Sequence, residues 1–414
     1  MSEYVPVAII GAGPAGLTLS HLLHQHGVES VVFESRSRED VETTVRAGIL
    51  EQGTLDLMRR TGVGERMERE ADIDEGIEIS VQGERTRIDL TGLTGHTVAV
   101  YPQHEYLIDL VARRLADGGT VLFDTTVDAV SGTGGADVTD TDVTGSGPAV
   151  VDYTDAAGRP GRVRADFVVA ADGSRSPYRG LVAGAGTDGA GADGAGRHRH
   201  EYPYAWFGVL VNAPKTQKEL IYATHPEGFA LISTRSDTVQ RYYLQCDPSD
   251  TVEDWSDDRI WEALHTRADS PDLRIAEGEI FDKAVLRFRS AVTEPMQRGR
   301  LFLAGDAAHT VPPTGAKGMN LAIADVAVLA PALVRALRGR PGLLADYSSI
   351  VLPRIWRAQH FSWWMSSMLH QAPEATTFES RRRLAELSSV LSSEAGRRYL
   401  AEQYVGRDLP EFEV

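Results

Sequence analysis

The chain has 414 residues, and 42% of them are hydrophobic, which is enough to bury a large core in two or three domains. Its 42 basic and 59 acidic side chains give a formal charge of −17, which disfavours nucleic acid and anionic membranes as partners. The single cysteine, Cys246, excludes an internal disulfide and a cysteine-based metal site, and no histidine spacing indicates a metal.

The N-terminal segment predicts a strand, a glycine-rich turn, a helix and a second strand. Residues 4–10 are β-branched, residues 17–28 have helical spacing, and residues 28–34 form the next strand. Such a βαβ unit indicates a parallel sheet. The segment lacks the features of a signal peptide, and no apolar run approaches the roughly 20 residues that span a bilayer. We therefore expect a cytoplasmic protein.

The turn after the first strand carries a dinucleotide-binding fingerprint. It reads G-x-G-x-x-G at Gly11, Gly13 and Gly16, with Pro14 and Ala15 inside it. The first glycine permits the tight turn, the second lets the backbone approach a pyrophosphate, and the third allows close packing of helix on strand. The pyrophosphate would lie at the N-terminus of the helix, where free N–H groups favour anions.

Glu34 ends the second strand, where a carboxylate can accept hydrogen bonds from an adenosine ribose. A second glycine match, at residues 184–189, lies in a low-complexity run without a helix pattern after it, so we interpret it as a loop. Two stretches rich in Gly, Asp, Ala and Thr, residues 131–148 and 183–197, are predicted to be flexible insertions.

The middle of the chain has a different pattern. Short alternating strands (YAWFGVLV, ELIYAT, FALIST, RYYLQC) predict a mostly antiparallel sheet, and the last part of the chain is helical. The fold class is therefore α/β, with a Rossmann-like parallel sheet, an inserted antiparallel sheet and a helical C-terminal region. The predicted units are a discontinuous nucleotide-binding domain (1–76, 98–182 and 290–343), a substrate-binding sheet domain (77–97 and 198–289) and the helical region (344–414).

Two later strand ends favour FAD over NAD as the bound nucleotide. Residues 166–173 (DFVVAADG) end in Asp172-Gly173, and residues 301–306 (LFLAGD) end in Gly305-Asp306. Asp306 can bind a ribityl hydroxyl, and the N–H groups of the next helix can reach the flavin. A dehydrogenase that binds only NAD needs neither strand end.

These three motifs together resemble the group A FAD-dependent aromatic monooxygenases, and in particular the 4-hydroxybenzoate 3-hydroxylase family. The similarity covers nearly the whole chain outside the two insertions, and it is most specific in residues 294–322 (EPMQRGRLFLAGDAAHTVPPTGAKGMNLA). The resemblance implies non-covalent FAD, reduction by NADH or NADPH, and a flavin C4a-hydroperoxide. The product would be 3,4-dihydroxybenzoate, formed from 4-hydroxybenzoate and O₂.

The resemblance also implies a site for the substrate carboxylate. Arg235 would pair with it, while Ser233 and Tyr243 would add hydrogen bonds, and Thr314 would lie at the same site. A buried benzoate needs a compensating cation, and a planar guanidinium can meet both oxygens. Ser233 and Arg235 are two apart on a strand and therefore face the same side.

The catalytic residues that the resemblance implies are Tyr222, Tyr404 and Pro313. Tyr222 would hydrogen-bond the phenolic oxygen, Tyr404 would continue a proton relay, and the Pro313 carbonyl would lie near that oxygen. Deprotonation matters because a phenolate is more electron-rich than a phenol at the carbon ortho to its oxygen. The relay of the family ends at a histidine, which Asp74 replaces here, so the pH dependence stays open.

Further cofactor contacts follow from the same resemblance. Arg241 matches a residue tied to movement of the flavin ring between an inner and an outer position; the alternative is an ordinary salt-bridged strand arginine. His309 belongs to the Gly-Asp motif and is interpreted as structural. The other residues implied to contact the flavin are Arg46, Gln103, Gly318, Met319 and Asn320.

The segment 35–44 departs from the NADPH-using members of the family. Ser35, Asp40 and Thr44 stand where those members carry arginine, tyrosine and arginine, and the local carboxylates would repel a 2′-phosphate. NADH is therefore favoured, although Arg36 and Arg38 could accept a phosphate; the alternative is a solvated acidic helix with no role in cofactor binding. The residues implied to contact NAD(P)H are Ser35, Arg36, Asp40, Arg175 and Arg289.

Three alternatives stay open at this point. The same chemistry could act on another 4-substituted benzoate, since Ile49, Met319 and Tyr204 differ from the family. The chain could instead be an NAD-dependent dehydrogenase or a flavin-carrying sensor without turnover. The expected partners are a small aromatic acid and O₂, with a homodimer by resemblance and neither nucleic acid nor membrane.

Overall fold

The structure is a computed structural model that describes residues 3–45, 48–134, 147–183 and 196–414. Its strands in chain order are β1 (Tyr4–Ile10), β2 (Ser30–Phe33), β3 (Ile49–Leu50), β4 (Asp72–Asp74), β5 (Gly76–Val81), β6 (Glu84–Asp89), β7 (Val98–Val100), β8 (Thr120–Leu122), β9 (Thr126–Ser131), β10 (Ala149–Thr154), β11 (Pro160–Ala170), β12 (Gly196–Asn212), β13 (Ile221–His225), β14 (Gly228–Thr234), β15 (Val239–Cys246), β16 (Glu279–Glu294), β17 (Gln297–Arg298), β18 (Leu301–Leu303) and β19 (His309–Thr310).

Its helices in chain order are α1 (Pro14–Gln25), α2 (Arg38–Thr43), α3 (Gln52–Thr61), α4 (Glu65–Glu70), α5 (Leu90–Thr94), α6 (Gln103–Ala116), α7 (Arg179–Ala183), α8 (Asp257–Ala268), α9 (Gly318–Leu337), α10 (Gly342–Ala345), α11 (Tyr347–Leu369), α12 (Thr377–Ser392) and α13 (Glu394–Val405).

The first sheet has the order β17-β18-β11-β1-β2-β8, with β10 and β9 extending from β11. Strands β18, β11, β1, β2 and β8 are mutually parallel. Val7, Ala8 and Ile9 of β1 are completely buried, as expected for a parallel strand with both faces covered. Helix α1 packs against α6 and α9 beside this sheet. The predicted Rossmann-like parallel sheet is therefore confirmed.

The second sheet has the order β19-β16-β12-β15-β14-β13-β5-β6 and is antiparallel except where β13 pairs with β5. Side chains alternate between its two faces, because successive residues of a strand point to opposite sides. The inner face carries Trp206, Tyr222, Leu231 and Tyr243, which pack in one apolar cluster with α11, α12 and α13. The outer face packs on α8 in a separate cluster that includes Phe207, Ile221, Ile232 and Leu244.

Residues 342–405 are largely helical, which confirms the predicted C-terminal region. Contrary to the expectation that no apolar run approaches the length that spans a bilayer, one helix of the described residues, α9, is long and apolar enough by composition, but 72% of that window is buried inside the protein. It packs instead as a core helix against α1 and α11. The domain boundaries drawn from the sequence stay a prediction, as do the two flexible insertions. The cores of both insertions, and the second glycine match, lie outside the described residues.

A buried ion pair between His309 and Asp325 links the segment of the Gly305-Asp306 motif to α9. The Asp325 carboxylate accepts hydrogen bonds from the Gly305 N–H at 2.8 Å and from His309 Nε2 at 2.7 Å. Burial lowers the pKa of His309, but the charge and hydrogen bond of Asp325 outweigh it, so the net pKa is raised. His309 therefore has a structural partner, in agreement with the interpretation from the sequence.

Replacing Asp325 by alanine should destabilise the protein by about 3–5 kcal/mol, because a charged His309 and the Gly305 N–H lose their buried partner. The free energy of unfolding is measured by urea denaturation followed by circular dichroism. Asp346→Ala is the control, since this exposed aspartate stands at the N-cap position of α11 without a side-chain capping hydrogen bond, and it should change the free energy by less than about 0.5 kcal/mol. Equal stability of both variants would contradict the assigned role.

Candidate active site

A cavity of about 570 Å³ opens at the carboxyl ends of β1, β2, β11 and β18. Ligands of open parallel sheets bind at this edge, where successive strand ends meet. The structure brings ten of the residues predicted to hold the cofactor to this cavity. They are Gly11, Gly13, Pro14, Ala15, Glu34, Gln103, Asp172, Asp306, Gly318 and Met319.

The glycine motif has the geometry that a pyrophosphate requires. Gly11 has a φ of +105°, and a Cβ atom there would lie 2.4 Å from the Ala171 carbonyl oxygen. A Cβ atom on Gly16 would lie 1.9 Å from the Gly11 oxygen, whereas one on Gly13 would meet open space. No side chain caps the N-terminus of α1 or of α9, so their first N–H groups can receive an anion.

Two acidic side chains in this cavity fit the hydroxyl groups of a dinucleotide. Glu34 is buried and accepts hydrogen bonds from the backbone N–H of Ala12 at 2.7 Å and of Arg36 at 3.0 Å. Asp172 Oδ1 is buried and has no hydrogen-bond partner within the described residues. Burial raises the pKa of Asp172 above its ordinary value. A ligand hydroxyl that donates to this oxygen would remove the penalty.

A second cavity of about 480 Å³ lies on the inner face of the antiparallel sheet. It shares part of its lining with the first cavity, so the two spaces meet there. The shared residues are Gln103, Asp306, Gly318 and Met319. The structure also brings most of the predicted substrate and catalytic residues to its wall. They are Tyr222, Ser233, Arg235, Tyr243 and Pro313.

Arg235 is the cation of this second cavity. Its Nη1 donates to Ser233 Oγ at 2.8 Å, and no Asp or Glu side chain of the described ranges forms an ion pair with it. Burial lowers the pKa of Arg235, Tyr243 opposes this effect, and the neighbouring Arg241 adds to it. Arg241 also lines the cavity, but it pairs with Asp282 at 3.1 Å. The cavity therefore offers an organic anion a guanidinium that the protein does not neutralise.

Tyr222 stands at another part of the same wall, and Tyr404, which lines neither cavity, lies behind it. The hydroxyl oxygens of Tyr222 and Tyr404 are 2.8 Å apart, and both side chains are buried. Burial raises the pKa of each, and the charge of Asp74 raises both further. Asp74 is itself 2% exposed, and burial, with the charges of Asp72 and Glu219, raises its pKa to about 8.

The pKa of Asp74 therefore lies far above the ordinary value of a carboxyl group. A pKa of about 8 is also higher than the ordinary pKa of histidine, about 6.5. The physical reason is desolvation, which disfavours the charged form of an acid, together with two nearby negative charges.

Two predicted contacts are not made by side chains. Thr314 is completely buried behind the cavity wall, where its Oγ1 accepts a hydrogen bond from Ser366 Oγ at 2.8 Å. Asn320 faces away from both cavities, because its Oδ1 accepts from the Glu51 N–H and its Nδ2 donates to the Ile49 carbonyl. Both polar groups are satisfied inside the protein, so only their backbones remain available to a ligand.

The residues predicted to contact NAD(P)H separate into two groups. Ser35, Arg36 and Arg175 line the dinucleotide cavity, whereas Asp40 and Arg289 do not. Asp40 lies in the first turn of α2, where its N–H bonds the Ser37 hydroxyl. Residues 38–43 thus form a short helix with exposed acidic side chains, and whether it selects between NADH and NADPH stays a prediction. Arg46, predicted to contact the flavin, lies outside the described residues.

Sequence reasoning missed a buried ion pair between Glu51 and Lys317, a residue that lines the substrate cavity. Lys317 Nζ donates to Glu51 Oε1 at 2.5 Å and to the backbone carbonyl of Tyr404 at 2.9 Å. Burial lowers the pKa of Lys317, and Glu51 opposes that effect. No local signal could have revealed the pair, because its partners are 266 residues apart. Trp206, which also lines the cavity, was predicted only as a strand residue.

Comparison with known proteins agrees with this geometry. Residues 4–362 match the family model described as an FAD binding domain. The chain is 40% identical over 403 residues to the p-hydroxybenzoate hydroxylase of Acinetobacter baylyi, covering 97% of this chain and 95% of that protein.

Solved structures show the same fold. A ternary complex of aklavinone-11 hydroxylase with FAD and aklavinone superposes with a TM-score of 0.73 at 25% identity, covering 90% of this chain and 70% of that one. The p-nitrophenol 4-monooxygenase of Pseudomonas putida superposes with a TM-score of 0.78 at 19% identity, covering 98% and 100%. The chain is an FAD-binding enzyme, and it belongs to the family of FAD-dependent aromatic hydroxylases that includes p-hydroxybenzoate hydroxylase.

Proposed function

We propose that this enzyme hydroxylates 4-hydroxybenzoate at C3 to give 3,4-dihydroxybenzoate, using O₂ and NAD(P)H, with NADH favoured. The observation that carries the proposal is Arg235, a cation with no carboxylate partner in the described chain, in a cavity continuous with the dinucleotide cavity. The name of the Acinetobacter relative, a p-hydroxybenzoate hydroxylase, agrees with an aromatic carboxylate as ligand.

The carboxylate of the substrate would bind at Arg235. Ser233, which already accepts a hydrogen bond from that guanidinium, and Tyr243 lie on the same wall and would complete the anion site. Trp206, Leu220 and Leu231 line the cavity and supply apolar surface for the ring. This arrangement removes the ring from water and orients it by one charged end.

The phenolic end of the substrate would lie toward Tyr222. Its proton would pass through the hydrogen bond between Tyr222 and Tyr404, in the direction of Asp74. Pro313 also lines the cavity, although its carbonyl oxygen accepts a hydrogen bond from the Ala316 N–H at 2.9 Å within a tight turn. Loss of the proton activates the carbon ortho to the oxygen for electrophilic attack.

FAD, when bound, supplies reduction of O₂ and delivery of one oxygen atom to the ring. Gln103, Asp306, Gly318 and Met319 would hold it where the two cavities meet. The chain itself contributes position, a dry environment and control of one proton.

A second candidate is the same chemistry on another 4-substituted benzoate. It is favoured by Ile49 and Met319, which differ from the family and line the substrate cavity. Product identification from 4-hydroxybenzoate and from 4-aminobenzoate distinguishes the two candidates. Formation of 3,4-dihydroxybenzoate with one NADH oxidised per product supports the first, and NADH oxidation without product from 4-hydroxybenzoate contradicts it.

We also propose a cytoplasmic homodimer that needs neither nucleic acid nor membrane, on the strength of the family resemblance and the formal charge of −17. Light scattering coupled to size-exclusion chromatography measures the mass of the holoenzyme. A mass near twice the 45.0 kDa of one chain supports the dimer.

Arg235→Gln should raise the KM for 4-hydroxybenzoate by about 100-fold, because the substrate carboxylate loses its charged partner, worth about 2.7 kcal/mol. FAD content, read from flavin absorbance, should not change, since Arg235 does not line the dinucleotide cavity. Arg381→Gln is the matched control, an exposed arginine that should leave KM unchanged. A KM within twofold of the unmodified enzyme in Arg235→Gln would remove the main support for the proposal.

The rate of hydroxylation should rise through an inflection near pH 8, because Asp74 can accept a proton only when its carboxyl group is ionised. Asp74→Asn should lower the high-pH rate about tenfold and abolish this inflection. Asp74→His should restore it at about pH 6.5, the ordinary pKa of histidine. Product formation is followed from pH 6 to about pH 10 at saturating substrate.

The control for this series is Glu75→Gln, which removes an exposed neighbouring carboxylate that pairs with Lys218. Its pH profile should match that of the unmodified enzyme. An unchanged profile in Asp74→Asn would show that the substrate proton leaves by another route.

The ratio of kcat/KM for NADH to that for NADPH should exceed about 10, because the carboxylates of α2 repel a 2′-phosphate. Combining Glu39→Gln with Asp40→Asn should lower this ratio several-fold through better use of NADPH. Glu29→Gln, at an exposed carboxylate outside this segment, serves as control. Equal use of both nucleotides by the unmodified enzyme would refute the preference.

A further inference from the structure

The wall of the substrate cavity contains an indole ring that is hydrogen-bonded from behind. Trp206, on β12, lines the cavity and is 2% exposed. Its Nε1–H donates to Nε2 of His370 at 2.7 Å. His370 follows the last residue of α11, is 1% exposed and does not line the cavity.

The hydrogen bonds of His370 require one neutral tautomer. Its Nδ1 is 2.9 Å from the Ser366 carbonyl oxygen, which can only accept, so Nδ1 carries the proton. The indole of Trp206 can only donate, so Nε2 must be the acceptor. Burial lowers the pKa of His370 to about 3, the bond to Ser366 opposes this shift, and Arg383 adds to it. The imidazole therefore stays a neutral acceptor at any working pH.

Ring stacking prevents the imidazole from turning. Tyr204 lies parallel to it at 4.5 Å between ring centroids, and Phe229 packs on it at 4.3 Å. The indole of Trp206 is in turn stacked on Phe229 at 5.4 Å and packed against Tyr243 at 4.8 Å. The position of the acceptor atom Nε2 is thus fixed by ring packing as well as by its hydrogen bond to the indole.

The same turn of α11 also contacts a second segment of the cavity wall. Ser366, whose carbonyl holds His370, donates its hydroxyl hydrogen bond to Thr314 at 2.8 Å. Thr314 follows Pro313, which lines the cavity. This helical turn therefore contacts two separate parts of the wall, although the side chains of Ser366 and His370 do not line the cavity.

We propose that His370 is a positioning residue that fixes the Trp206 indole as a wall of the substrate cavity and thereby sets the width of aromatic acid that the cavity accepts. The inference rests on the proposed function only for the identity of the aromatic acid. Without the acceptor, the buried indole N–H has no partner, and the ring is free to tilt toward or away from the ligand.

The test uses the FAD-loaded full-length enzyme and two ligands, 4-hydroxybenzoate and the wider 4-hydroxy-3-methylbenzoate. The dissociation constant of each is read from the change in flavin absorbance during titration, and kcat and KM are measured separately. His370→Phe keeps a ring but loses the acceptor, whereas His370→Gln keeps an acceptor oxygen near the position of Nε2. His360→Phe, on the exposed side of the same helix, is the matched control.

His370→Phe should weaken the binding of 4-hydroxybenzoate about tenfold and that of the wider ligand less. The ratio of the two dissociation constants should therefore move toward one, while kcat at saturating substrate stays within about twofold. His370→Gln should recover most of the loss, and His360→Phe should show none. A purely structural role would lower FAD content and kcat together and would not be rescued by glutamine. If His370→Phe does not retain FAD, His370→Leu serves as the second acceptor-free variant.

Adding Trp206→Phe tests the partner. Since the double variant lacks both ends of one hydrogen bond, its loss of affinity should not exceed that of Trp206→Phe alone. The proposal would be overturned if the fold-loss of affinity in the double variant equalled the product of the two single losses. Unchanged affinities in His370→Phe would overturn it as well. Failure of the unmodified enzyme to bind 4-hydroxybenzoate would instead count against the proposed function.

Discussion

The guanidinium of Arg235 is the interaction on which the substrate cavity depends. A cation among aromatic and aliphatic side chains carries a desolvation penalty, and within the described residues the chain supplies no carboxylate to offset it. In the proposed function, the carboxylate of an aromatic acid would supply that charge and would be oriented by it. The sheet makes this possible because Leu231, Ser233 and Arg235 follow one another at alternate positions and all reach the same cavity.

The groups proposed to carry the substrate proton are subject to the same desolvation as Arg235, and of these groups only Tyr222 lines the cavity within the described residues. Tyr222, Tyr404 and Asp74 are all buried, and burial raises the pKa of each, so that the neutral forms are preferred without a ligand. For the tyrosines this keeps the hydroxyl groups able to donate and accept at once. For Asp74 it raises the pKa of a carboxyl group to about 8, above the ordinary pKa of histidine. Asp74 in place of the family's histidine is therefore compatible with a proton relay, because burial raises the pKa of its carboxyl group.

The support for both cavities comes from elements distant in sequence. Asp325 of α9 holds the Gly-Asp motif from behind through His309 and Gly305. The N-terminus of α9 borders both cavities, so its position affects the space for cofactor and for substrate alike. His370, at the end of α11, supports the wall from the other side. Buried, fully satisfied polar contacts of this kind hold a site to a single geometry.

The sequence alone determined the elements whose signals are local. The glycine turn at residues 11–16, the strand ends at Asp172 and Asp306, and the alternation along β14 all follow from short-range backbone and side-chain geometry. Only the tertiary structure decided that the side chains of Thr314 and Asn320 bond inside the protein and that His370 bonds Trp206. These depend on partners far along the chain, and a hydrogen bond between residues 164 positions apart leaves no local pattern. The raised pKa of Asp74 likewise depends on burial and on neighbouring charges that exist only after the chain has folded.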